Sequence, residues 1–411
     1  MKTITACRCC GSTRLCRYLD LGHQPLANSY HKGENLETYP LEVDLCESCY
    51  HSQLSVVIEP KIMFEHYLYV SSTTKTFQLH CDALAENAVT RTEHPPRVLD
   101  IACNDGLLLE CFRKRGCEVQ GVDPSVNLRE FTKQKDIPVE VEFWSDKVAD
   151  RIGKFDIITG TNVFAHVHDV SGFLSACQKS LTPNGFVIIE FPYCKNMIAK
   201  GEFDTIYHEH LSYFLVNSFS TLTRRCGFQI FDIIQTPIHG WSIRFFLRPS
   251  VQEDCAAVKE LIAAEKEKGM LEIYTYKEFE QKVNHTKETF CQEVESQRRV
   301  RKVIGYGASA KGNTMLNFFK LKLDYIVDDN CLKWEHLTPG MDIVIRSPQE
   351  MAKEGPLATT ILSWNFSKEI IRKITAIRPG NNNDVSLLYV PETKVLSLPL
   401  EDENILAHIS G

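Results

Sequence analysis

The sequence has no apolar run that approaches the roughly 18 residues of a membrane-spanning helix. Residues 1–6 contain no signal-peptide core before the first cysteines. Basic residues are not in excess either, since 46 Lys and Arg against 53 Asp and Glu give a net charge of −7. This balance argues against nucleic acid or an anionic membrane as the main partner. At 411 residues, 43% of them hydrophobic, the chain is expected to form roughly two to three globular domains.

Two common motifs are also missing. The zinc-protease pattern His-Glu-x-x-His does not occur. The first strand–turn–helix of the middle region keeps only Gly106 of the pattern Gly-x-Gly-x-x-Gly, so a dinucleotide is not favoured there. Cysteine, by contrast, is abundant. Sixteen cysteines in a chain of this size are expected to be thiols or metal ligands in a reducing cytoplasm rather than disulfides.

The N-terminal region predicts a metal site. It contains two Cys-x-x-Cys turns, formed by Cys7, Cys10, Cys46 and Cys49. Each turn aims two sulfurs at one point, and four soft thiolates favour a single tetrahedral Zn²⁺. Four protein ligands leave no open coordination position, so the predicted site is structural. The alternative is four unrelated buried thiols, and Cys9 and Cys16 fit the ligand spacing poorly.

The middle region alternates strands with helices. This alternation predicts a parallel sheet covered on both faces, whose ligands bind at the carboxyl ends of the strands. Polar residues end four of the predicted strands: Asp100, Asp123, Asn162 and Glu190. Acids at the ends of the first two strands suit a ligand with a cationic amino acid part and a ribose. The pattern therefore indicates an S-adenosylmethionine site in which Asp123 accepts hydrogen bonds from the ribose hydroxyls, with a helix N-cap as its alternative role.

The densest group of acids and bases lies at 203–214 and includes Tyr207-His208-Glu209-His210. The stretch belongs to an insertion after the strand that ends at Glu190, so it is expected to lie over the mouth of the donor site. Spacing leaves three interpretations open: a metal site without a visible third ligand, plain structure, or a catalytic site. In the catalytic interpretation one histidine is the base, while Glu209 or Tyr207 orients it or holds a developing oxyanion. His166 is expected to face the same cleft.

The C-terminal region begins with charged helical stretches, interpreted as a solvated linker, and continues as a second α/β unit. Residues 302–313 have the pattern of a strand, a glycine turn and a helix start. Gly305-x-Gly307 permits close backbone approach, and the helix N-terminus with Lys311 suits a pyrophosphate. The next strand ends at Asp328, about 20 residues on, where a ribose contact is expected. The sequence thus indicates a nucleotide site here.

These motifs, in this order, resemble the three-domain sugar C-methyltransferases that build branched deoxysugars. The resemblance covers essentially the whole chain and rests on the Cys-x-x-Cys pair, residues 100–108, residues 162–169, Tyr207-His208-Glu209-His210 and residues 305–313. It implies an α/β fold in three parts. These are a small zinc-binding domain at 1–62, a Rossmann-like class I methyltransferase domain at 63–250, and a Rossmann-like nucleotide-sugar-binding domain at 251–411.

The resemblance also implies the chemistry. A base removes the proton beside the keto group of an NDP-4-keto-6-deoxysugar, and the resulting enolate carbon, most often C-3, takes the methyl group of S-adenosylmethionine. The base corresponds to His210, and Tyr207, Glu209 and His166 are expected to assist. The donor is expected at Tyr69, Asp100, Ala102, Asn104, Gly106, Asp123, Asn162 and Phe164. The sugar nucleotide is expected at Tyr67, His208, His239, Ser242, Arg244, Gly307, Ser309, Lys311, Gly312, Asn313, Asp328 and Asn365.

Two departures from the family pattern stand out. Trp241 replaces a common glycine before Ser242 and is expected to reshape the sugar pocket, and a glycine is missing around Lys333-Trp334-Glu335. The second departure leaves the choice between dTDP and GDP open. Alternative functions are C-5 methylation by the same enolate logic, and a zinc-bearing protein that binds a nucleotide sugar or S-adenosylmethionine without chemistry. Intact acid and base groups argue against the binding protein. No oligomer signal is evident, so a monomer is expected.

Overall fold

The computed structural model of the chain describes residues 1–65, 70–238 and 241–399. Three predicted site residues, Tyr67, Tyr69 and His239, lie outside these ranges, and their roles stay predictions. Within the described ranges, no helix combines the length and the apolar character needed to cross a membrane.

The N-terminal region consists of short strands around the cysteine turns. Its strands are β1 (Lys2–Thr3), β2 (Leu15–Pro25), β3 (Thr38–Cys46), β4 (Ser52–Leu54) and β5 (Val56–Val57). β1 pairs with β5, and β3 pairs with β4, in both cases antiparallel. The second Cys-x-x-Cys turn connects β3 to β4, so the position of β4 depends directly on the cysteine ligands.

Two helices lead into the middle region, as the helical pattern after residue 60 predicts. They are α1 (Pro60–Phe64) and α2 (Lys75–Val89). The buried residues of α2 share one face of the helix: Phe77, Cys81, Leu84, Ala85 and Ala88. This spacing places an apolar stripe against the sheet that follows.

The middle region forms the predicted α/β sheet. Its first elements are β6 (Arg97–Ile101), α3 (Leu107–Arg113), β7 (Glu118–Val122), α4 (Arg129–Gln134), β8 (Val139–Glu140), α5 (Asp146–Ile152), β9 (Phe155–Thr161), α6 (Val170–Ser180) and β10 (Leu181–Pro192). These five strands are parallel to one another. Residues 183–185 lie inside β10, which begins at Leu181 and shifts register before Phe186.

The region closes with a reversed strand. Its remaining elements are α7 (Cys194–Lys200), β11 (Ser212–Tyr213), α8 (Val216–Arg225), β12 (Phe228–Thr236) and β13 (Ser242–Pro249). β13 runs antiparallel to both β10 and β12, which completes a seven-stranded sheet in the order β12-β13-β10-β9-β6-β7-β8. β11 pairs with β4 and extends the N-terminal sheet to the order β11-β4-β3-β2.

The core beside the donor site lies between this sheet and two helices. Val98, Ile157, Ile188 and Phe246 pack against the apolar faces of α2 and α3. Asp100 lies two residues beyond Val98 and therefore has its side chain on the same face. The hydrophobic core therefore ends near Asp100. The polar residues at the carboxyl ends of the strands lie between this core and the predicted cleft.

The charged stretch after the sheet is not a solvated linker, and that interpretation is wrong. It forms α9 (Ala256–Glu267) and α10 (Ile273–Arg298). α10 buries one face along its length, with Tyr276, Phe279, Val283, Thr286, Phe290 and Val294. Charged residues are abundant on the other positions, and they hid this apolar stripe in the sequence.

A buried carboxylate on α9 fixes the start of α8. Glu265 has no exposed surface and accepts hydrogen bonds from the Tyr193 hydroxyl (2.7 Å) and the backbone N–H groups of Val216 (2.6 Å) and Asn217 (3.0 Å). These two N–H groups begin α8 and have no acceptor within their own helix. Sequence reasoning missed this residue because its partners are about 50 to 70 residues away along the chain.

Glu265→Ala is expected to lower the free energy of unfolding by about 3 kcal/mol, because it leaves buried donors without an acceptor. Thermal unfolding of the two purified proteins would measure the change. Glu267→Ala, an exposed position on the same helix, is the control and should remain within about 0.5 kcal/mol of the wild type. Equal unfolding curves for the two variants would show that Glu265 does not stabilise the helix start.

The C-terminal region forms a second α/β sheet, as predicted. Its elements are β14 (Lys302–Tyr306), α11 (Ala310–Phe319), β15 (Ile326–Val327), β16 (Ile345–Arg346), β17 (Leu357–Ile361), α12 (Ser367–Ile377), β18 (Val385–Leu388) and β19 (Lys394–Ser397). The order is β16-β15-β14-β17-β18-β19, and only β19 is antiparallel to its neighbour. The predicted α/β fold with its three parts is confirmed.

The chain divides into two compact units that are not continuous in sequence. Unit 1 contains Met1–Arg17, Val43–Asn196 and Glu209–Ile273. Unit 2 contains Tyr18–Glu42, Met197–His208 and Tyr274–Gly411. Two early segments therefore belong to the unit that holds the C-terminal sheet. The domain boundaries near residues 62 and 250 stay a prediction.

Candidate active site

The four predicted zinc ligands come together. The sulfur atoms of Cys7, Cys10, Cys46 and Cys49 all lie within 4.8 Å of one another, and the Cys7–Cys49 and Cys10–Cys46 pairs are 3.5 Å apart. This donor set fits one tetrahedral Zn²⁺ with no open position, so it fits a structural ion. The prediction of a closed four-cysteine site is confirmed. Cys9 is buried and Cys16 is partly exposed, and neither belongs to the group.

The two cysteine turns have the same backbone geometry. Gly11 N donates to Cys7 O (2.9 Å), and Tyr50 N donates to Cys46 O (2.8 Å). Both closing residues are in the left-handed region, with φ of 76° and 57°. Tyrosine rarely adopts this conformation, and the repeated geometry explains why the chain accepts it at Tyr50.

The predicted donor site lies at the carboxyl ends of β6 and β7. Asp123 is buried, and its two carboxylate oxygens accept hydrogen bonds from Asn104 N (2.9 Å) and Ser125 N (2.8 Å). The alternative role of Asp123 as a helix N-cap is wrong, because α4 begins later and has Leu128 at its N-cap. Burial raises the pKa of Asp123. Its carboxylate ties the turn after β6 to the end of β7 and retains acceptor capacity for a ligand.

The turn after β6 has the unusual backbone that a close ligand requires. Ala102, Asn104 and Gly106 all have positive φ, at 59°, 52° and 80°. Asn104 Oδ1 accepts a hydrogen bond from Ser71 N (2.9 Å), which fixes the residues before α2 against this turn. Non-glycine residues in this region cost energy and are concentrated at ligand sites.

Asp100 lies deeper than Asp123. Its carboxyl is buried and accepts a hydrogen bond from the Thr159 hydroxyl (2.6 Å). Burial raises the pKa of Asp100 to about 7. Near neutral pH this group is therefore poised between a neutral and an anionic form, and a cationic amino group nearby would favour the anion.

The turn after β9 supplies Asn162, with φ 55°, and its buried Oδ1 has no hydrogen-bond partner among the described residues. A buried acceptor without a partner fits a site that a ligand completes. Phe164, a predicted donor contact, is instead fully buried among Phe173, Phe191, Phe214 and Phe219. Only its backbone remains suited to a donor contact.

Two of the predicted catalytic histidines are neighbours. The rings of His166 and His210 lie 5.0 Å apart at 37°, and His166 also stacks on Phe64 at 5.5 Å. Leu211 N donates to Ala165 O (2.8 Å), and this bond brings the residues beside each histidine together. Burial lowers the pKa of His166 to about 4, so this imidazole is neutral at neutral pH. The chain thus places two imidazoles just beyond the end of β9.

The two halves of Tyr207-His208-Glu209-His210 belong to different units. In unit 2, His208 is buried, with its Nε2 3.3 Å from Pro40 O and its ring 5.9 Å from that of Tyr39. Burial lowers the pKa of His208 to about 4. In unit 1, Glu209 is buried, while His210 is partly exposed. His208 is thus buried among residues of its own unit and close to a carbonyl oxygen. This environment favours a structural role for His208, which is one of the three interpretations left open by the sequence.

The buried residues Glu190 and Arg244 form a charged group with His80 near the end of β10. The sequence predicted Glu190 and Arg244 as polar site residues but not His80. Glu190 accepts from Arg244 Nε (2.7 Å) and lies 2.6 Å from His80 Nε2. Burial alone would raise the pKa of Glu190, but the hydrogen bond from His80 and the charge of Arg244 lower it. Arg244, predicted to bind substrate, is thus held by an ion pair, and a substrate contact stays a prediction. Ser242 Oγ donates to Ile238 O (3.1 Å).

The glycine turn of the C-terminal sheet packs tightly on its own unit. A Cβ on Gly307 would lie 2.5 Å from Ser363 Oγ, and one on Gly312 would lie 2.7 Å from Leu362 Cβ. Ser309 caps α11 by accepting from Gly312 N (3.1 Å), and Asn313 Nδ2 donates to Ala27 O (2.8 Å). Packing within unit 2 therefore accounts for these residues, and their predicted substrate contacts stay predictions.

Asp328 repeats the arrangement of Asp123. Its oxygens accept from Ala308 N (2.7 Å) in the turn after β14 and from Asn330 N (2.8 Å), two residues on. Lys333 Nζ lies 3.5 Å from this carboxylate and donates to Ala308 O (2.6 Å). Lys311 Nζ lies over the Trp364 ring at 4.5 Å, next to the partly exposed Asn365. An acid at the strand end with two lysines near the turn suits a nucleoside diphosphate.

Comparison with known proteins identifies the class of this protein, which is an S-adenosylmethionine-dependent methyltransferase. Three family models match the chain in sequence order: "Putative zinc binding domain" at 7–64, "Methyltransferase domain" at 73–233 and "C-methyltransferase C-terminal domain" at 237–388. C-methyltransferase NovU of Streptomyces niveus is 31% identical over 97% of this chain and 98% of that protein. The chain belongs to the sugar C-methyltransferase family, and the resemblance found in its motifs is confirmed.

More distant relatives match only part of the chain. The ubiquinone biosynthesis O-methyltransferase of Rhodopseudomonas palustris is 34% identical over 23% of this chain and 38% of that protein. The PH0226 protein of Pyrococcus horikoshii has a TM-score of 0.36 at 14% identity, covering 47% of this chain and all of that chain. Magnesium protoporphyrin IX methyltransferase of Synechocystis, solved with bound SAH, has a TM-score of 0.34 at 17% identity, covering 41% and 81%. These scores are too low to support any argument about function.

Proposed function

We propose that this enzyme transfers a methyl group from S-adenosylmethionine to C-3 of an NDP-4-keto-6-deoxysugar, with His210 as the base. The observation that supports this most directly is the pair of imidazoles, His210 and His166, with rings 5.0 Å apart beyond the end of β9. A keto group acidifies the neighbouring C–H, and a neutral imidazole is suited to remove that proton near neutral pH. The name of the relative NovU, a C-methyltransferase, supports carbon as the acceptor.

The proposed reaction has two steps. His210 takes the C-3 proton, and the C–H electron pair moves toward the 4-keto oxygen as the enolate forms. The enolate carbon then bonds to the donor methyl group, and the electron pair of the S–CH₃ bond returns to sulfur. S-adenosylmethionine, when bound, supplies a methyl group made electrophilic by its sulfonium. Glu209 and Tyr207 orient the base and stabilise the enolate oxygen, and neutral His166 keeps the surroundings of His210 free of added positive charge.

The residues at the strand ends have separate proposed roles. Asp123 accepts from the ribose hydroxyls of the donor, and Asp100 neutralises its amino group. In unit 2, Asp328 and the lysines near the glycine turn hold the nucleotide of the sugar substrate. A single chain carries both sites, so we propose a monomer as the acting species, in a reducing cytoplasm that preserves the four thiolates.

The decisive experiment incubates the purified protein with methyl-labelled S-adenosylmethionine and a panel of dTDP- and GDP-4-keto-6-deoxyhexoses in heavy water. Mass spectrometry reports methyl gain and deuterium exchange, and NMR locates the new carbon. We expect a methyl group at C-3 of the product and deuterium exchange at C-3 of the sugar that remains unmethylated, because a methylated C-3 that bears a hydroxyl keeps no hydrogen. A methyl group at C-5 would place the proton abstraction at the other neighbour of the keto group. Ligand binding without either exchange or methyl gain across the panel would contradict the proposed catalysis.

A further inference from the structure

We propose that Arg8 is a positioning residue that holds the segment directly after His210, so that the cysteine turn at the N-terminus helps to place the base. This inference rests on the proposed role of His210. Arg8 lies inside the first Cys-x-x-Cys turn, between Cys7 and Cys10, and nothing in its sequence position suggests a role in catalysis.

The contacts of Arg8 reach directly to the residue after the base. Its side chain is buried, and Nη1 donates to Leu54 O (3.1 Å) and to Leu211 O (3.1 Å). Leu211 O also accepts from Leu54 N (3.0 Å), and Leu211 N donates to Ala165 O (2.8 Å). Both polar groups of the Leu211 backbone are therefore bonded to elements outside its own segment. One of the two donors to its carbonyl is a guanidinium, and a charged donor makes a stronger hydrogen bond.

The backbone of Arg8 is fixed as well. Arg8 N donates to Gln53 Oε1 (2.9 Å), and Gln53 Nε2 donates to Ala6 O (3.2 Å). Gln53 is the β4 residue that pairs with Ser212 of β11. β4 thus connects the cysteine turn to the segment after His210. Its main chain pairs with β11, and the side chain of Gln53 binds the backbone beside Cys7. All of these residues belong to unit 1.

The charge of Arg8 explains why this contact depends on the cysteine turn. A buried guanidinium needs a nearby anion, because desolvating an unpaired charge is costly. Four thiolates around one Zn²⁺ would carry a net charge of −2, which suits a neighbouring guanidinium. Nε and Nη2 of Arg8 have no hydrogen-bond partner among the described residues, so Nη1 provides the observed side-chain hydrogen bonds.

The test compares Arg8→Met, Arg8→Lys and the control Arg14→Met. Arg14 is an exposed residue of the same region, paired with Glu47. For Arg8→Met we expect one zinc per chain, unchanged affinity for S-adenosylmethionine and an unchanged KM, with kcat lower by about 100-fold, the cost of a small misplacement of a catalytic group. Arg8→Lys keeps the charge and should recover part of kcat, although an ammonium lacks the fixed planar geometry of a guanidinium.

A second readout does not depend on turnover. Hydrogen–deuterium exchange of the peptide that covers residues 209–213 should be faster in Arg8→Met than in the wild type and in Arg14→Met. The proposal would be overturned if Arg8→Met kept both the wild-type kcat and the wild-type exchange rate. It would also be overturned if the decrease in kcat were proportional to a decrease in bound zinc. If Arg8→Met does not fold, wild-type kcat and exchange in Arg8→Lys would overturn it. A wild-type protein without methyl transfer would contradict the proposed function instead, while the exchange data would still test whether Arg8 holds the segment.

Discussion

His210→Asn is expected to lower kcat for methyl transfer by about 1,000-fold, within the range of about 10²–10⁴ for the loss of a general base. Asparagine keeps a polar side chain of similar reach but cannot take the substrate proton. The affinity for S-adenosylmethionine should remain, because the predicted donor residues lie at the ends of β6, β7 and β9 and keep their contacts. Single-turnover methyl transfer, donor affinity and deuterium exchange into the sugar would be measured together.

The control for this substitution is His285→Asn, at an exposed position on α10. It should leave methyl transfer and exchange at the wild-type level. Wild-type exchange in His210→Asn would exclude His210 as the base, even if methyl transfer were slower.

Cys46→Ser is expected to reduce the zinc content from about one ion per chain to near zero. Structural zinc sites contribute about 10–16 kcal/mol of binding free energy in isolated zinc-finger peptides, so the loss of one thiolate removes a large part of the energy that orders the segment. The cysteine turn connects β3 to β4, and β4 pairs with β11. Loss of the ion should therefore loosen both N-terminal strands, and limited proteolysis with metal analysis would detect it.

Cys16→Ser is the matched control, because Cys16 lies six residues after Cys10 and does not belong to the four-sulfur group. It should keep its zinc and its resistance to protease. A full zinc content in Cys46→Ser would mean that three of the sulfurs with another ligand suffice. An equal loss in both variants would point to a general effect of cysteine replacement rather than to this site.

Local patterns explain how much the sequence predicted correctly. The four-cysteine group follows from spacing within two short turns, and the polar strand ends follow from the alternation of strands and helices. Asp123 directly follows the second strand as predicted, because the fold determines that position, and its role toward a ligand stays a prediction. The same logic found Asp328, whose two backbone hydrogen bonds match those of Asp123.

The interpretations that failed depended on contacts between distant parts of the chain. Nothing near His80 or Glu265 in sequence indicates their partners, which are 110 residues away in one case and 48 to 72 in the other. α10 was misjudged because its charged residues outnumber the buried ones, although the buried ones share a face. The role proposed for Arg8 depends on a partner 203 residues away. Sequence periodicity contains no information about such contacts.

The division of the chain into two units has a consequence for its synthesis. The chain crosses between the units after Arg17, Glu42, Asn196, His208 and Ile273. Synthesis proceeds from the N-terminus, so unit 1 has all its segments once residue 273 has left the ribosome. Unit 2 cannot form until residues 274–411 follow.

The contacts that residues 18–42 and 197–208 make with residues 274–411 can form only after that last segment is made. Tyr30, for example, donates to Ala308 O (2.6 Å), which is made 278 residues later. A nascent chain stalled shortly after residue 273 would already contain the zinc ligands, the donor residues and His210. It would also present these two early segments to the chaperones of the cell, and the arrival of the last third of the chain determines when that exposure ends.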